Sequence, residues 1–133
     1  MKVDGRCHCG AISFEAEVDP LAAGMCHCTD CQTLTGSAFR ANVPAAASTF
    51  RLHGEPKIYI KTADSGNKRA HAFCGQCGTP VYACAPVDPQ TYSLRLGTLT
   101  QRHEITPQRQ IYRSRALKWT ADLAAIKALD GAG

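Results

Sequence analysis

Cys26-His27-Cys28-Thr29-Asp30-Cys31 decides how this chain is read. Three cysteines within six residues are too close together for ordinary core packing. A Cys-x-Cys-x-x-Cys run can turn its three sulfurs toward one point, and thiolates gathered at a point call for a soft or borderline cation, zinc above all. Two further pairs flank the run: Cys7-His8-Cys9 before it and Cys74-Gly75-Gln76-Cys77 after it. The four sulfurs of those pairs can close one tetrahedral site, which leaves the central triad one ligand short. Three protein ligands and an open position is the usual layout of a catalytic zinc.

Composition sets the bounds. A chain of 133 residues, 44% of them hydrophobic, is most simply one domain, here residues 1–133. Eight cysteines amount to about 6% of the chain, below the share expected of a small disulfide scaffold. The opening Met1-Lys2-Val3-Asp4-Gly5 has no apolar run behind its charge, and no stretch approaches the length of a membrane span. A reducing, cytoplasmic setting without a membrane partner is therefore expected, and there clustered cysteines more often bind metal than bridge. The net charge of +4 comes largely from Arg51 to Arg69 and from Arg102 to Lys118. Such a bias suits a small anionic substrate or a phosphate backbone, and equally a plain solvated surface.

Short strands dominate the pattern. Ala11 to Val18 alternates apolar and polar residues, the signature of a half-buried strand leading away from the first pair. Asp19-Pro20 and Gly24 turn the chain into the triad. Ser37 to Val43 reads as a strand stopped by Pro44, with Pro44 to Ser48 a small linker. Thr49 to Leu52, a turn at His53 to Pro56, and Lys57 to Lys61 make a strand, turn, strand pattern with one wet face. Lys68 to Phe73, Val81 to Cys84 and Tyr92 to Leu96 are further strands. Only the end reads as helical: Thr120 can cap a short C-terminal helix through Leu123, Ile126 and Leu129, stopped at Gly131. The expected fold class is mainly β, with small antiparallel sheets built around zinc-cysteine sites.

Competing readings of the cysteines narrow but do not vanish. Cys7 and Cys9 lie two apart, so an extended segment projects both sulfurs to one side. Cys74 and Cys77, with Gly75 between them and Gly78 after, make the tight turn of a zinc knuckle. A thioredoxin-like redox pair at Cys74 and Cys77 would need a helix that Gly78-Thr79-Pro80 breaks. The triad can instead recruit Cys84 and close, although Cys84 beside Tyr82 in an apolar strand reads better as a buried free thiol. His8 and His27 each sit between two cysteines, so coordination by both neighbours turns the imidazole away. His53, His71 and His103 stand alone and read as structural or solvated.

Cys7-His8-Cys9-Gly10, the triad with Thr35-Gly36-Ser37-Ala38-Phe39, Phe73-Cys74-Gly75-Gln76-Cys77-Gly78-Thr79-Pro80, and Leu96-Gly97-Thr98-Leu99 follow one another in order. Together they resemble the glutathione-dependent formaldehyde-activating enzyme family, also the domain family of the centromere protein V relatives. The resemblance runs from Gly5 to about Trp119. It implies a β-tent fold of small coiled sheets, a structural zinc on Cys7, Cys9, Cys74 and Cys77, and a functional zinc on Cys26, Cys28 and Cys31, hence two zincs per chain.

The chemistry that matches is carbon–sulfur bond formation or cleavage. With zinc on three thiolates the site carries a formal charge of minus one, which suits holding a fourth thiolate better than making hydroxide. A lyase-like reaction is then expected, adding a thiol such as glutathione to a small aldehyde or running in reverse, with Cys26, Cys28 and Cys31 at its centre. Thr29 and Thr35 are candidate oxyanion donors, and Arg40, Arg51 and Lys61 candidate contacts for glutathione carboxylates. The alternative is a zinc-stabilised binding module for nucleic acid or protein, carried by the basic strip Arg109, Arg113, Arg115 and Lys118. Aromatic residues make up only 7% of the chain and form no stacking rows, so nucleic acid is not the expected partner.

Overall fold

The computed structural model describes residues 1–133. Two sheets carry the fold. The smaller joins β1 (Lys2–Arg6), β2 (Ser13–Glu17) and β5 (Arg51–His53) in the order β1-β2-β5, all antiparallel. The larger has seven strands: β3 (Gly24–Cys26), β4 (Arg40–Ala46), β6 (Lys57–Thr62), β7 (Lys68–Phe73), β8 (Pro80–Cys84), β9 (Thr91–Arg95) and β10 (Arg109–Ile111). Their order is β10-β3-β4-β9-β8-β7-β6, antiparallel except for the β10–β3 pair. One short helix, α1 (Thr29–Thr35), follows β3. No helix is long and apolar enough to cross a membrane.

Strand parity separates the two faces of the large sheet. Val43, Leu94, Tyr82 and Ala72 stand opposite one another across β4, β9, β8 and β7, and all are buried. They meet Val3, Phe14 and Ala16 of the small sheet in one apolar cluster. Phe50, on the connection between the sheets, fills the middle: its ring lies 4.3 Å from Tyr92, 5.4 Å from Tyr82 and 5.8 Å from Phe14. Gly5 pairs with Phe14, where a Cβ would overlap the aromatic ring and come within 2.8 Å of Thr98 O. Cys84 is buried in this cluster, as a free thiol away from both cysteine groups.

Several local expectations change. Pro44 does not stop its strand but lies within β4, opposite Ser93. β3 pairs only with Arg40 to Asn42, so beyond Asn42 that side of β4 is largely an edge, where proline is tolerated. Ala47–Thr49 is a 3₁₀ turn rather than a linker. The strand, turn, strand pattern around Gly54 is present, yet β5 joins the small sheet and β6 the large one. β6 is an edge strand, so Ile58, Tyr59 and Ile60 are all exposed and no face is dry. The tail makes single 3₁₀ turns at Lys118–Ala121 and Leu123–Ala125, with Leu123, Ile126 and Leu129 exposed, and the α-helix stands at Thr29–Thr35 instead.

Candidate metal centres

The first cysteine group is assembled across the chain. Cys7 and Cys9 lie on the turn after β1 rather than on an extended segment, and Cys74 and Cys77 on the turn between β7 and β8. Cys7 Sγ stands 3.6 Å from Cys9 Sγ, which stands 3.7 Å from Cys74 Sγ, and all four sulfurs lie within 4.8 Å of one another. Sulfurs around a tetrahedral metal with bonds of about 2.3 Å stand roughly 3.8 Å apart, so the spacing is that of ligands and too long for a disulfide. Gly78 takes φ +80° to close the turn, its N–H donating to Cys74 O at 2.8 Å.

Backbone amides converge on these sulfurs. Ile12 N–H donates to Cys7 Sγ at 3.3 Å and Gln76 N–H to Cys74 Sγ at 3.4 Å. Thr79 Oγ1 accepts from His8 N–H at 3.1 Å, leaving its own proton for Cys77 Sγ at 3.2 Å. That hydroxyl is the main cause holding the Cys77 thiol down at about 5. His8 itself is exposed.

The second group is local and has three members. Cys26 ends β3, Cys28 caps α1 and Cys31 lies in the helix's first turn, with the three sulfurs within 4.8 Å of one another. Cys28 Sγ accepts from Cys31 N–H at 3.3 Å. Burial pushes the Cys26 thiol up to about 12. Burial also works against ionisation at Cys28, but the Cys31 amide, the neighbouring thiols and the Lys61 ammonium outweigh it and hold that thiol below its ordinary range. Lys61 Nζ lies 2.9 Å from Asp30 Oδ2. Gly36, left-handed at φ 62°, terminates the helix.

A strap from the C-terminal side holds this group in place. β10 runs alongside β3, His27 N–H donates to Ile111 O at 3.1 Å, and Gln32 Nε2 bridges His27 O at 2.8 Å and Arg115 O at 3.0 Å. His27 is buried and turned from the sulfurs, its Nε2 2.7 Å from Gln110 Oε1 and its ring against Phe39. Arg109 packs over Gly24. The basic strip thus begins as the strand that pins the triad.

Beside the triad, on the outer face of the large sheet, lies a cavity of about 490 Å³ lined by Leu34 of α1, Arg40, Tyr59, His71, Phe73 and Arg95. The register explains the gathering. Arg40 is the partner of Cys26, Asn42 of Arg95, and Tyr59 of His71, so all point away from the apolar core. Arg95 donates through Nη1 to Asn42 Oδ1 at 2.7 Å and through Nη2 to His71 Nδ1 at 3.1 Å. Burial, reinforced by the Arg95 charge, pushes His71 down to about 4, so it is neutral at pH 7 with Nδ1 accepting. A second groove of about 560 Å³ crosses the small sheet and touches no cysteine.

Residues 2–115 match the family described as "Glutathione-dependent formaldehyde-activating enzyme". The chain belongs to that family. It is 27% identical over 95 residues to a Halomonas elongata protein named "Putative glutathione-dependent formaldehyde-activating enzyme", a match covering 68% of this chain and 60% of that relative. The chain therefore spans less than two thirds of the length of this curated relative. A crystal structure of a Rhodobacter sphaeroides protein superposes with a TM-score of 0.61 at 22% identity, over 80% of this chain and 98% of that one. That likeness supports the fold.

The structure brings together all seven cysteines named from the sequence, in groups of four and three that can each hold a metal ion. Of the suggested anion contacts, Arg40 and Lys61 lie beside the triad, whereas Arg51 is on the small sheet and bonds Ser48 O and Phe50 O. Thr35 donates to Cys31 O at 2.7 Å within the helix, so its hydroxyl is already used. Thr29 is exposed at the helix start. Sequence reasoning missed Arg95 and took His71 for a lone histidine. The one available signal was an arginine next to Leu94 and Leu96, because the partner strands are set by tertiary register.

Proposed function

We propose that residues 1–133 act as one zinc-binding domain of a carbon–sulfur lyase, joining a thiol of the glutathione type to a small aldehyde such as formaldehyde, or running the reverse. The observation that carries this reading is a three-sulfur site, one ligand short of a tetrahedron, beside a cavity large enough for a small molecule. Cys7, Cys9, Cys74 and Cys77 would hold a structural zinc, and Cys26, Cys28 and Cys31 a second with an open position. All-sulfur donor sets favour zinc among common cations, and the amides on Cys7, Cys28 and Cys74 are of the kind that stabilise ligating thiolates. A zinc ion bound at the triad supplies Lewis acidity and a fourth coordination position.

In the forward direction the thiol sulfur forms a bond to the aldehyde carbon and the carbon–oxygen π pair moves onto oxygen. The proton lost by the thiol ends on that oxygen, giving a hydroxyalkyl thioether. The Lys61 ammonium helps to favour the thiolate form of Cys28, and Asp30 holds that ammonium in place. Leu34, Tyr59 and Phe73 give the cavity apolar walls that limit water around the reacting carbon.

Native mass spectrometry of the untreated protein, with and without glutathione, tests the reading. The expected result is two zincs per chain and a glutathione adduct that disappears in Cys28→Ala. One zinc that survives loss of the triad, with no adduct, would overturn it.

A further inference from the structure

His71 carries a hydrogen-bond donor that the fold leaves unused. Its Nδ1 accepts from Arg95 Nη2 at 3.1 Å, and Arg95 Nη1 is itself held by Asn42 Oδ1 at 2.7 Å. A guanidinium has hydrogens but no acceptor, so Nδ1 is the bare nitrogen and the ring proton sits on Nε2. Burial and the charges of Arg95, Arg40, Lys61 and Arg69 oppose a second proton. No protein group accepts from Nε2, and the ring lines the cavity beside the triad. The guanidinium on Nδ1 polarises the imidazole and strengthens Nε2–H as a donor.

The curl of the large sheet sets where this donor stands. Tyr59 is the cross-strand partner of His71, and Lys61, two residues on along the same face of β6, reaches Asp30 Oδ2 of α1 at 2.9 Å. That contact brings the β6–β7 end of the sheet to the helix that carries Cys31 and is capped by Cys28, so His71 and Leu34 line one cavity. We propose that His71 is a catalytic hydrogen-bond donor, its Nε2–H holding the oxygen of the carbonyl compound that reacts beside the triad. The donor itself stands on the hydrogen bonds of Arg95. Its part in the reaction rests on the proposed lyase function. As the thiol sulfur bonds to carbon and the carbon–oxygen π pair moves onto oxygen, Nε2–H holds the growing negative charge, and the proton released by the thiol reaches that oxygen through water. His71 keeps its own proton throughout, because Nδ1, facing a guanidinium, cannot take one up in exchange. A neutral imidazole kept from charging by its surroundings is suited to polarising a carbonyl. The competing donor in the cavity is the guanidinium of Arg40, which no carboxylate pairs.

The test uses the zinc-loaded full chain and begins with nitrogen NMR of the imidazole at pH 7, the His71 ring assigned through its own carbons so that no variant is needed. A protonated Nε2 and a bare Nδ1 are expected. N,N-dimethylformamide, an unreactive carbonyl acceptor with no donor of its own, should shift the Nε2–H signal saturably at high millimolar concentration, and dichloromethane should leave it in place. In turnover of glutathione with formaldehyde, His71→Phe should lower kcat by about 100-fold, with zinc content retained and KM for glutathione within about twofold. His71→Gln, whose amide both accepts and donates, should recover part of that loss. A dimethylformamide shift in a wild-type protein that turns over no thiol would leave the donor standing and remove the lyase reading. The proposal is overturned if the proton is found on Nδ1, if dimethylformamide shifts the Arg40 N–H signals and not Nε2–H, or if His71→Phe turns over glutathione and formaldehyde at the wild-type rate. That last result would leave His71 as a prop for Arg95 alone.

Discussion

Breaking the two cysteine groups should cost the fold unequally, and chain length sets the difference. Cys9 and Cys74 are 65 residues apart, so a metal shared by their group clips a long loop. Closing a loop of that size lowers the entropy of the unfolded chain by an amount worth about 4 kcal/mol. The triad spans only Cys26 to Cys31, for which the same relation gives about 2 kcal/mol. Cys9 and Cys77 in the first group, and Cys28 and Cys31 in the second, are not buried, so serine in their place removes ligands with little loss of core packing. Cys9→Ser/Cys77→Ser should therefore destabilise the protein by about 2 kcal/mol more than Cys28→Ser/Cys31→Ser. With a urea dependence of about 2 kcal/mol per molar, that difference is a midpoint lower by roughly 1 M. The assay is urea unfolding in zinc-buffered solution, with zinc per chain measured on each variant. Equal midpoints, or a lower one for the triad variant, would refute the argument that the four-sulfur group is the structural clip.

Phe50→Ala removes the ring that links both sheets and should cost about 3–5 kcal/mol in thermal or urea unfolding. His71 adds a pH dependence of defined sign. Its folded value is lowered to about 4 from 6.5, so between those values the unfolded chain binds the extra proton and stability falls as pH falls. The slope from this group is at most about 1.4 kcal/mol per pH unit, reduced by solvent screening, and it should vanish in His71→Gln when unfolding is compared at pH 7 and pH 5.

Much of this architecture was legible because it depends on neighbours in sequence. Period-two alternation marks β2, and Gly75, Gly78 and the Cys-x-x-Cys spacing mark the turn between β7 and β8. The helix α1 escaped because seven residues are too few for a helical period, two threonines among its last three favour other states, and its cap is a cysteine sulfur. The tail failed in the opposite way: its apolar spacing is helical, but nothing packs against Leu123, Ile126 or Leu129 to repay the cost of a helix.

The sequence by itself determined that the chain is a β-rich fold with clustered cysteines able to hold metal ions, since three cysteines in six residues and a glycine-flanked Cys-x-x-Cys constrain chemistry locally. Only the tertiary structure decided which sulfurs meet, that β5 and β6 part into different sheets, and that Arg40, His71 and Arg95 face one cavity. Those outcomes depend on strand register across residues far apart in sequence. Register is settled by which faces bury best together, a property of the assembled sheets that no single strand carries.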